Sequence, residues 1–367
     1  MKPVRFLFFL TVLAVMASCN EFSVKDEGTE FPIEMSPGVD VNTKAPIDGT
    51  TFPTTRSMKV SAYYNAPAGR GTSANYFSNT RFVRNSDGVW AATNTKYWPF
   101  NCTAGSNPQG TLDLFAYSVS DDGTGACDVV GYTPSYHLTN VAQGCTVVVP
   151  DNFSNQYDMI FGRSAGCTRT TSGTAVQKAV PMTFRHAMAC IIFTASCNVE
   201  RNTTNNTGIT ITSIVLEDAY YGGTVAMDAT QAAGSQCTWS SLTGRHGPAA
   251  SNAGFSLSMS NYDVPTTLMD ITAAGNHMGI GGVGIVVPEQ AVTKFYINYT
   301  LHNGKNDAGQ AVDNNLTYIY TIPNTVDSGQ WLEGKKYNYR IAFTLTGITI
   351  TPTVTDWTPQ NVAVPIQ

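Results

Sequence analysis

Apolar and polar residues alternate with a period of two through most of this chain. A chain so patterned buries one clean face only when it forms β-strands. Met58, Val60, Ala62 and Tyr64 make one row. Val180, Met182, Phe184, His186, Met188, Cys190 and Ile192 make the longest. Phe295, Ile297, Tyr299 and Leu301 form another, followed by Tyr318, Tyr320 and Ile322. Tyr337, Tyr339, Ile341, Phe343 and Leu345 alternate up to Gly347, after which Ile348 and Ile350 continue out of phase. A one-residue slip beside a glycine predicts a bulge or a corner. Turn-forming clusters separate the rows, as at residues 85–88 and 120–123. Outside the N-terminus no apolar stripe of helical period is long enough to make a helix. Short strands without crossover helices predict an all-β fold of antiparallel sandwiches. The 47 threonines fit this reading, because a β-branched side chain suits a half-buried pleated surface.

The N-terminus reads as an address rather than a fold element. Lys2 and Arg5 precede an apolar run from Phe6 to Ala17. That run is shorter than the ~20 residues a bilayer core needs, and it suits the apolar region of a signal peptide. It ends Ala17-Ser18-Cys19, small residues before a cysteine, as a lipoprotein signal peptidase requires. Cys19 is therefore the expected lipidation site, and its acyl chains would anchor the protein to the outer membrane. Met16 stands where such a motif more often has leucine.

The length suits two domains. The Ser-, Thr- and Gly-rich stretch at residues 162–177 reads as a linker or long loop and places a boundary near residue 176. The expected division is a signal peptide at residues 1–18, a tether with a first strand at 19–45, and β-sandwiches at 46–176 and 177–367.

Charged residues are 13 % of the chain, against ~25 % in an ordinary soluble domain. The net charge of −5 leaves no basic footprint for nucleic acid. Gly279, Gly281 and Gly284 match a dinucleotide-binding spacing, but Ile285-Val286-Val287-Pro288 follows as a strand where that site needs a helix N-terminus. The five histidines are scattered. His186 and Cys190 share a strand row at about 13 Å spacing, too far for a dyad. The Asp121-Asp122 pair reads as an exposed turn. Seven cysteines follow Cys19 with no metal-binding spacing, and they leave disulfide pairing open. No catalytic residues, cofactor or metal are expected. Trp90, Tyr97 and Trp98 could stack on sugars or pack in a core.

Several segments together resemble the fimbrillin family, the lipoprotein pilins of type V pili. They are Tyr157-Asp158-Met159-Ile160-Phe161-Gly162, Val180-Pro181-Met182-Thr183-Phe184-Arg185-His186-Ala187-Met188-Ala189, Ile209-Thr210-Ile211-Thr212-Ser213-Ile214-Val215-Leu216, Val287-Pro288-Glu289-Gln290, Trp331-Leu332-Glu333-Gly334-Lys335-Lys336-Tyr337-Asn338-Tyr339 and Val354-Thr355-Asp356-Trp357. The resemblance implies two tandem transthyretin-like sandwiches and a structural pilus subunit at the cell surface. It also implies that a trypsin-like protease removes the first strand, and that a strand from another pilin subunit fills the groove. Lys44 falls where the family is cut, although arginine is more usual there; Arg56 is the second candidate. Val362, Val364 and Ile366 alternate to the C-terminus and form the candidate donor strand, or else an edge strand of their own domain. The contrasting reading is a surface lipoprotein or tip adhesin that binds glycan or host protein and does not polymerise.

Overall fold

The computed structural model describes residues 31–39, 52, 57–69, 71–118, 133–136, 142–148, 159–169, 179–216, 219–227, 237–245, 255–270, 284–286, 294–325, 327–344 and 347–356. Among them the regular structure is β-strand with short 3-10 turns, so the all-β expectation holds. No helix among them is long and apolar enough to cross a membrane.

In chain order the strands begin with β1 (Glu34–Val39), β2 (Met58–Asn65), β3 (Ala74–Arg84), β4 (Trp90–Ala92) and β5 (Thr111–Ser118). Next come β6 (Thr133–Tyr136), β7 (Ala142–Val148), β8 (Ile160–Cys167), β9 (Val180–His186), β10 (Ala189–Cys197), β11 (Thr207–Leu216) and β12 (Tyr220–Met227). The remainder are β13 (Cys237–Arg245), β14 (Phe255–Asp263), β15 (Met269–Asp270), β16 (Gly284–Val286), β17 (Lys294–Lys305), β18 (Ala311–Thr321), β19 (Lys335–Thr344) and β20 (Gly347–Asp356).

The N-terminal strands close into a ring in the order β1-β4-β3-β2-β5-β8-β9. Pairing is antiparallel around it except between β1 and β9, which run parallel. A hairpin cannot produce a parallel pair, so this one joins segments far apart in sequence. Inward-facing Met58, Val60, Ala62, Leu112, Leu114, Ala116, Met182 and Phe184 are all buried in one core. The turn at residues 85–88 forms as its composition predicts: Asn85 Oδ1 accepts from the Asp87 and Val89 N–H groups, and Gly88 takes φ 81°.

A second core lies between two sheets, β15-β10-β19-β20 with β16 on β10, and β14-β11-β17-β18. Phe193 stacks on Tyr339 at 5.4 Å and meets Phe295 edge-on at 5.2 Å. A further sheet, β13-β12-β7-β6, joins residues from both halves of the sequence.

The longest row in the sequence is two strands, not one. The chain bends at Ala187 and Met188: the Ala187 N–H donates to Met159 O in the ring, and Met188 O accepts from the Gly334 N–H beside the second core. On β9 the even-numbered Val180, Met182 and Phe184 face the first core. On β10 the odd-numbered Ala189, Ile191, Phe193, Ala195 and Cys197 face the second. The phase slip at Gly347 is a chain reversal, since Thr344 pairs with Gly347 as β19 turns into β20.

Residues 162–167 lie in β8 rather than in a linker. Glycine at 162 permits this, because a Cβ there would collide with the Thr183 carbonyl of the neighbouring strand. The Trp331–Tyr339 segment is a lock on the second core. Trp331 Nε1–H donates to Tyr339 OH at 3.0 Å, the Leu332 N–H donates to Tyr337 OH at 2.7 Å, and Tyr337 OH donates to Asp327 Oδ2 at 2.7 Å. Burial pushes both tyrosine hydroxyls far above their ordinary pKa. Glu333, itself buried, accepts the Cys237 N–H at 2.6 Å and so ties β13 to this lock.

Candidate functional site

The strand that closes the ring is β1, the first among the described residues, and it is held from both sides. Residues 31–33 lie along residues 96–98: the Trp98 N–H donates to Phe31 O at 2.9 Å, the Ile33 N–H donates to Lys96 O at 2.7 Å, and Pro32 bridges Tyr97. The chain then pairs Glu34 with Ala91 and Met35 with Trp90 on β4. On its other side Met35 to Val39 run in parallel register with Val180 to Phe184 of β9. Ile33 and Met35 are each 1 % exposed. Phe31 lies beneath the Arg169 guanidinium, 3.6 Å from its ring centroid.

Lifting residues 31–39 out of this slot would uncover Trp90, Trp98, Met182 and Phe184, all now buried. It would also strip backbone partners from β4 and β9 at once. The result would be an apolar groove flanked by two unpaired strand edges, which demands another strand. Phe52 adds to the lining: it is 1 % exposed and meets Trp90 at 4.8 Å and Phe184 at 4.9 Å.

Of the residues singled out in the sequence, Cys19, Lys44, Arg56, Val362, Val364 and Ile366 lie outside the described residues. Lys44 and Arg56 fall in the connection between Val39 at the end of β1 and Met58 at the start of β2, and Phe52 lies between them. Trp90 and Trp98 are core residues at 6 % and 7 % exposure, so neither offers a face to a sugar; Tyr97 is 37 % exposed. His186 is buried at the end of β9.

One polar cluster escaped sequence reading. Thr210 Oγ1 lies 2.9 Å from His302 Nε2, and His302 Nδ1 lies 2.8 Å from Asp313 Oδ1, a hydroxyl–imidazole–carboxylate series. The Thr210 hydroxyl, however, donates to Asp263 Oδ1 at 2.5 Å, so its proton points away from the imidazole that a nucleophile would need as base. Hydrogen bonds from Asn206 and His302 hold the Asp313 carboxyl below its ordinary pKa. Thr210, Asp263, His302 and Asp313 belong to β11, β14, β17 and β18, so the cluster cross-links the four strands of one sheet. The signal was present in the β17–β18 hairpin, whose register sets His302 opposite Asp313.

Comparison with solved structures finds the same fold. A fimbrial protein from Bacteroides vulgatus aligns over 90 % of this chain and 100 % of its own, with 16 % identity and a TM-score of 0.55. A candidate cell adhesion protein from Bacteroides ovatus aligns over 90 % of this chain and 99 % of its own, with 16 % identity and a TM-score of 0.52. No curated protein matches the chain. The family profile described as fimbrillin-like matches residues 43–357, from the connection after β1 to the end of β20. With that match over most of its length, the chain belongs to the fimbrillin-like family.

Proposed function

We propose that the protein is a structural subunit of a cell-surface fimbrium, exported as a lipoprotein through Cys19 and polymerised by protease-gated strand exchange. The observation that carries this reading is β1, which closes the ring while sitting just upstream of both candidate cleavage sites. Cutting after Lys44 or Arg56 would free residues 31–39 together with the lipid anchor. The groove would then take residues 362–367 of another pilin subunit by β-augmentation. Val362, Val364 and Ile366 repeat the period-two spacing of Ile33, Met35 and Pro37, so they can present apolar side chains to the same slot. Burial of Ile33 and Met35 contributes about 3–6 kcal/mol, which a donor strand must match. The two cores support two tandem transthyretin-like domains.

The two cleavage sites have different consequences. A cut after Lys44 leaves Phe52 on the subunit to fill part of the groove. A cut after Arg56 leaves it on the released piece and deepens the groove by one aromatic ring.

Brief trypsin treatment of the purified precursor is expected to convert monomer into oligomer on size-exclusion chromatography. Lys44→Ala combined with Arg56→Ala should block the conversion, and removing residues 362–367 should abolish it while the monomer stays folded. A trypsin-cut wild type that remains monomeric at high concentration contradicts strand exchange.

A second reading, a non-polymerising adhesin or surface lipoprotein that binds glycan or host protein, draws on one observation. Tyr97 and Phe100 are exposed at 37 % and 62 % within four residues of each other. Glycan-array binding by a monomer that loses it on Phe100→Ala would favour that reading.

A further inference from the structure

Two thiols at one end of the ring take no part in the groove. A 3-10 turn, Phe100–Cys102, ends in Cys102, and β8 ends in Cys167. Both are free thiols in the structure. Their backbones lie side by side, because the Arg169 N–H donates to Cys102 O at 2.7 Å and the Ala104 N–H donates to Arg169 O at 2.7 Å. These bonds make a parallel bridge between Thr103 and Arg169. In that register Thr168 stands opposite Cys102, and Cys167 is one residue out of step. With ~4.8 Å between strands and ~3.3 Å rise per residue, the two Cα atoms come about 6 Å apart. Disulfides span Cα separations of roughly 4.4–6.8 Å. Both thiols face the same core: Cys102, at the end of a 3-10 turn, is 0 % exposed within it, and Cys167 lies across from core-facing Leu112 past a register shift in β8 and packs against the core.

We propose that Cys102 and Cys167 are joined by a structural disulfide in the exported protein. The oxidant is a disulfide of the extracytoplasmic space, either on a thiol oxidoreductase or on a small molecule. The Cys167 sulfur, the more exposed, attacks one donor sulfur and releases the other as a thiol. The Cys102 sulfur then attacks Cys167 in the mixed disulfide and releases the second donor thiol. One S–S bond forms in the protein and one breaks in the donor. The two cysteine protons end on the two donor thiols, and two electrons pass to the donor.

Electrostatics sets the timing. Burial, reinforced by the charge of Cys167, pushes the Cys102 thiol up to about 12. Burial and then Asp113 push Cys167 up to about 11, against a smaller opposing effect of Arg163. Thiolate is the reactive form, so exchange in the folded ring is slow, and the bond forms while the ring is still folding. Once made, it secures the Thr103–Arg169 bridge, on which Arg169 rests against Phe31. This last consequence depends on the strand-exchange reading; the bond itself does not.

The test uses the full chain exported to an oxidising compartment. The protein is unfolded in excess alkylating agent without reductant, digested and mapped by mass spectrometry. The expected result is a Cys102–Cys167 cross-linked peptide that disappears on prior reduction. Reduction should also lower Tm by roughly 5 °C or more, a drop absent from the Cys102→Ala/Cys167→Ala variant. Recovery of both cysteines as alkylated free thiols overturns the proposal. So does pairing of either one with Cys127, Cys145, Cys190, Cys197 or Cys237.

Discussion

Deleting residues 31–39 should turn a stable monomer into a protein that captures strands. The deletion removes Ile33 and Met35 from the first core and leaves β4 and β9 each short of one neighbour. The loss is larger than the ~3–6 kcal/mol of side-chain burial, because unsatisfied backbone groups beside an apolar slot add their own penalty. The deletion variant should oligomerise or precipitate on size-exclusion chromatography and melt well below the full chain. A synthetic peptide covering residues 357–367 should bind it and raise its Tm, and should not bind the full chain, whose slot is filled. A deletion variant that stays monomeric with an unchanged Tm would show that β1 does not carry the ring.

The second large effect is expected in the other core. Phe193→Ala removes the ring that stacks on Tyr339 and meets Phe295, at a position with no solvent exposure. The cost should be about 3–5 kcal/mol in urea unfolding, since neighbours on rigid strands collapse only partly into the vacated space. Tyr339 is further held by the Trp331 indole N–H, so it cannot swing in to compensate. Phe295→Ala combined with Phe193→Ala should cost less than the two alone, because they share one cavity. A Phe193→Ala variant within 1 kcal/mol of wild type, a margin well below ordinary large-to-small core changes, would contradict this packing.

Strand identity was legible because alternation is a local property. Met58 to Tyr64 and Tyr337 to Phe343 are buried as their period predicts, and so are Phe295 and Ile297, while Tyr299 and Leu301 further along β17 are only half-buried. Partnering was less legible, for a physical reason. A period of two names the buried face but not the core that face meets, so the row through Val180 and Ile192 read as one strand across a bend that serves two cores. The parallel pairs β1–β9 and β10–β19 leave no local mark, since no turn connects their members. Glycine and serine at residues 162–167 looked like linker composition. They belong to a strand, and at Gly162 the Thr183 carbonyl of the neighbouring strand comes so close that a larger residue has no room. For the candidate site, the sequence pointed to an early strand before Lys44. It could not show that this strand joins two edges of a ring, which is what makes its removal consequential. Of the cluster of Thr210, His302, Asp313 and Asp263, only the pair across the β17–β18 hairpin left a local mark, because Thr210 and Asp263 come from two further strands.

The central claim is that β1 leaves before the subunit assembles. The measurement that reaches it most directly is N-terminal sequencing, with intact mass, of subunits taken from surface-shed polymers. The account predicts a start at Ala45 or Ser57, with residues 31–39 absent and no acyl mass. A start at acylated Cys19 in polymerised subunits would contradict it.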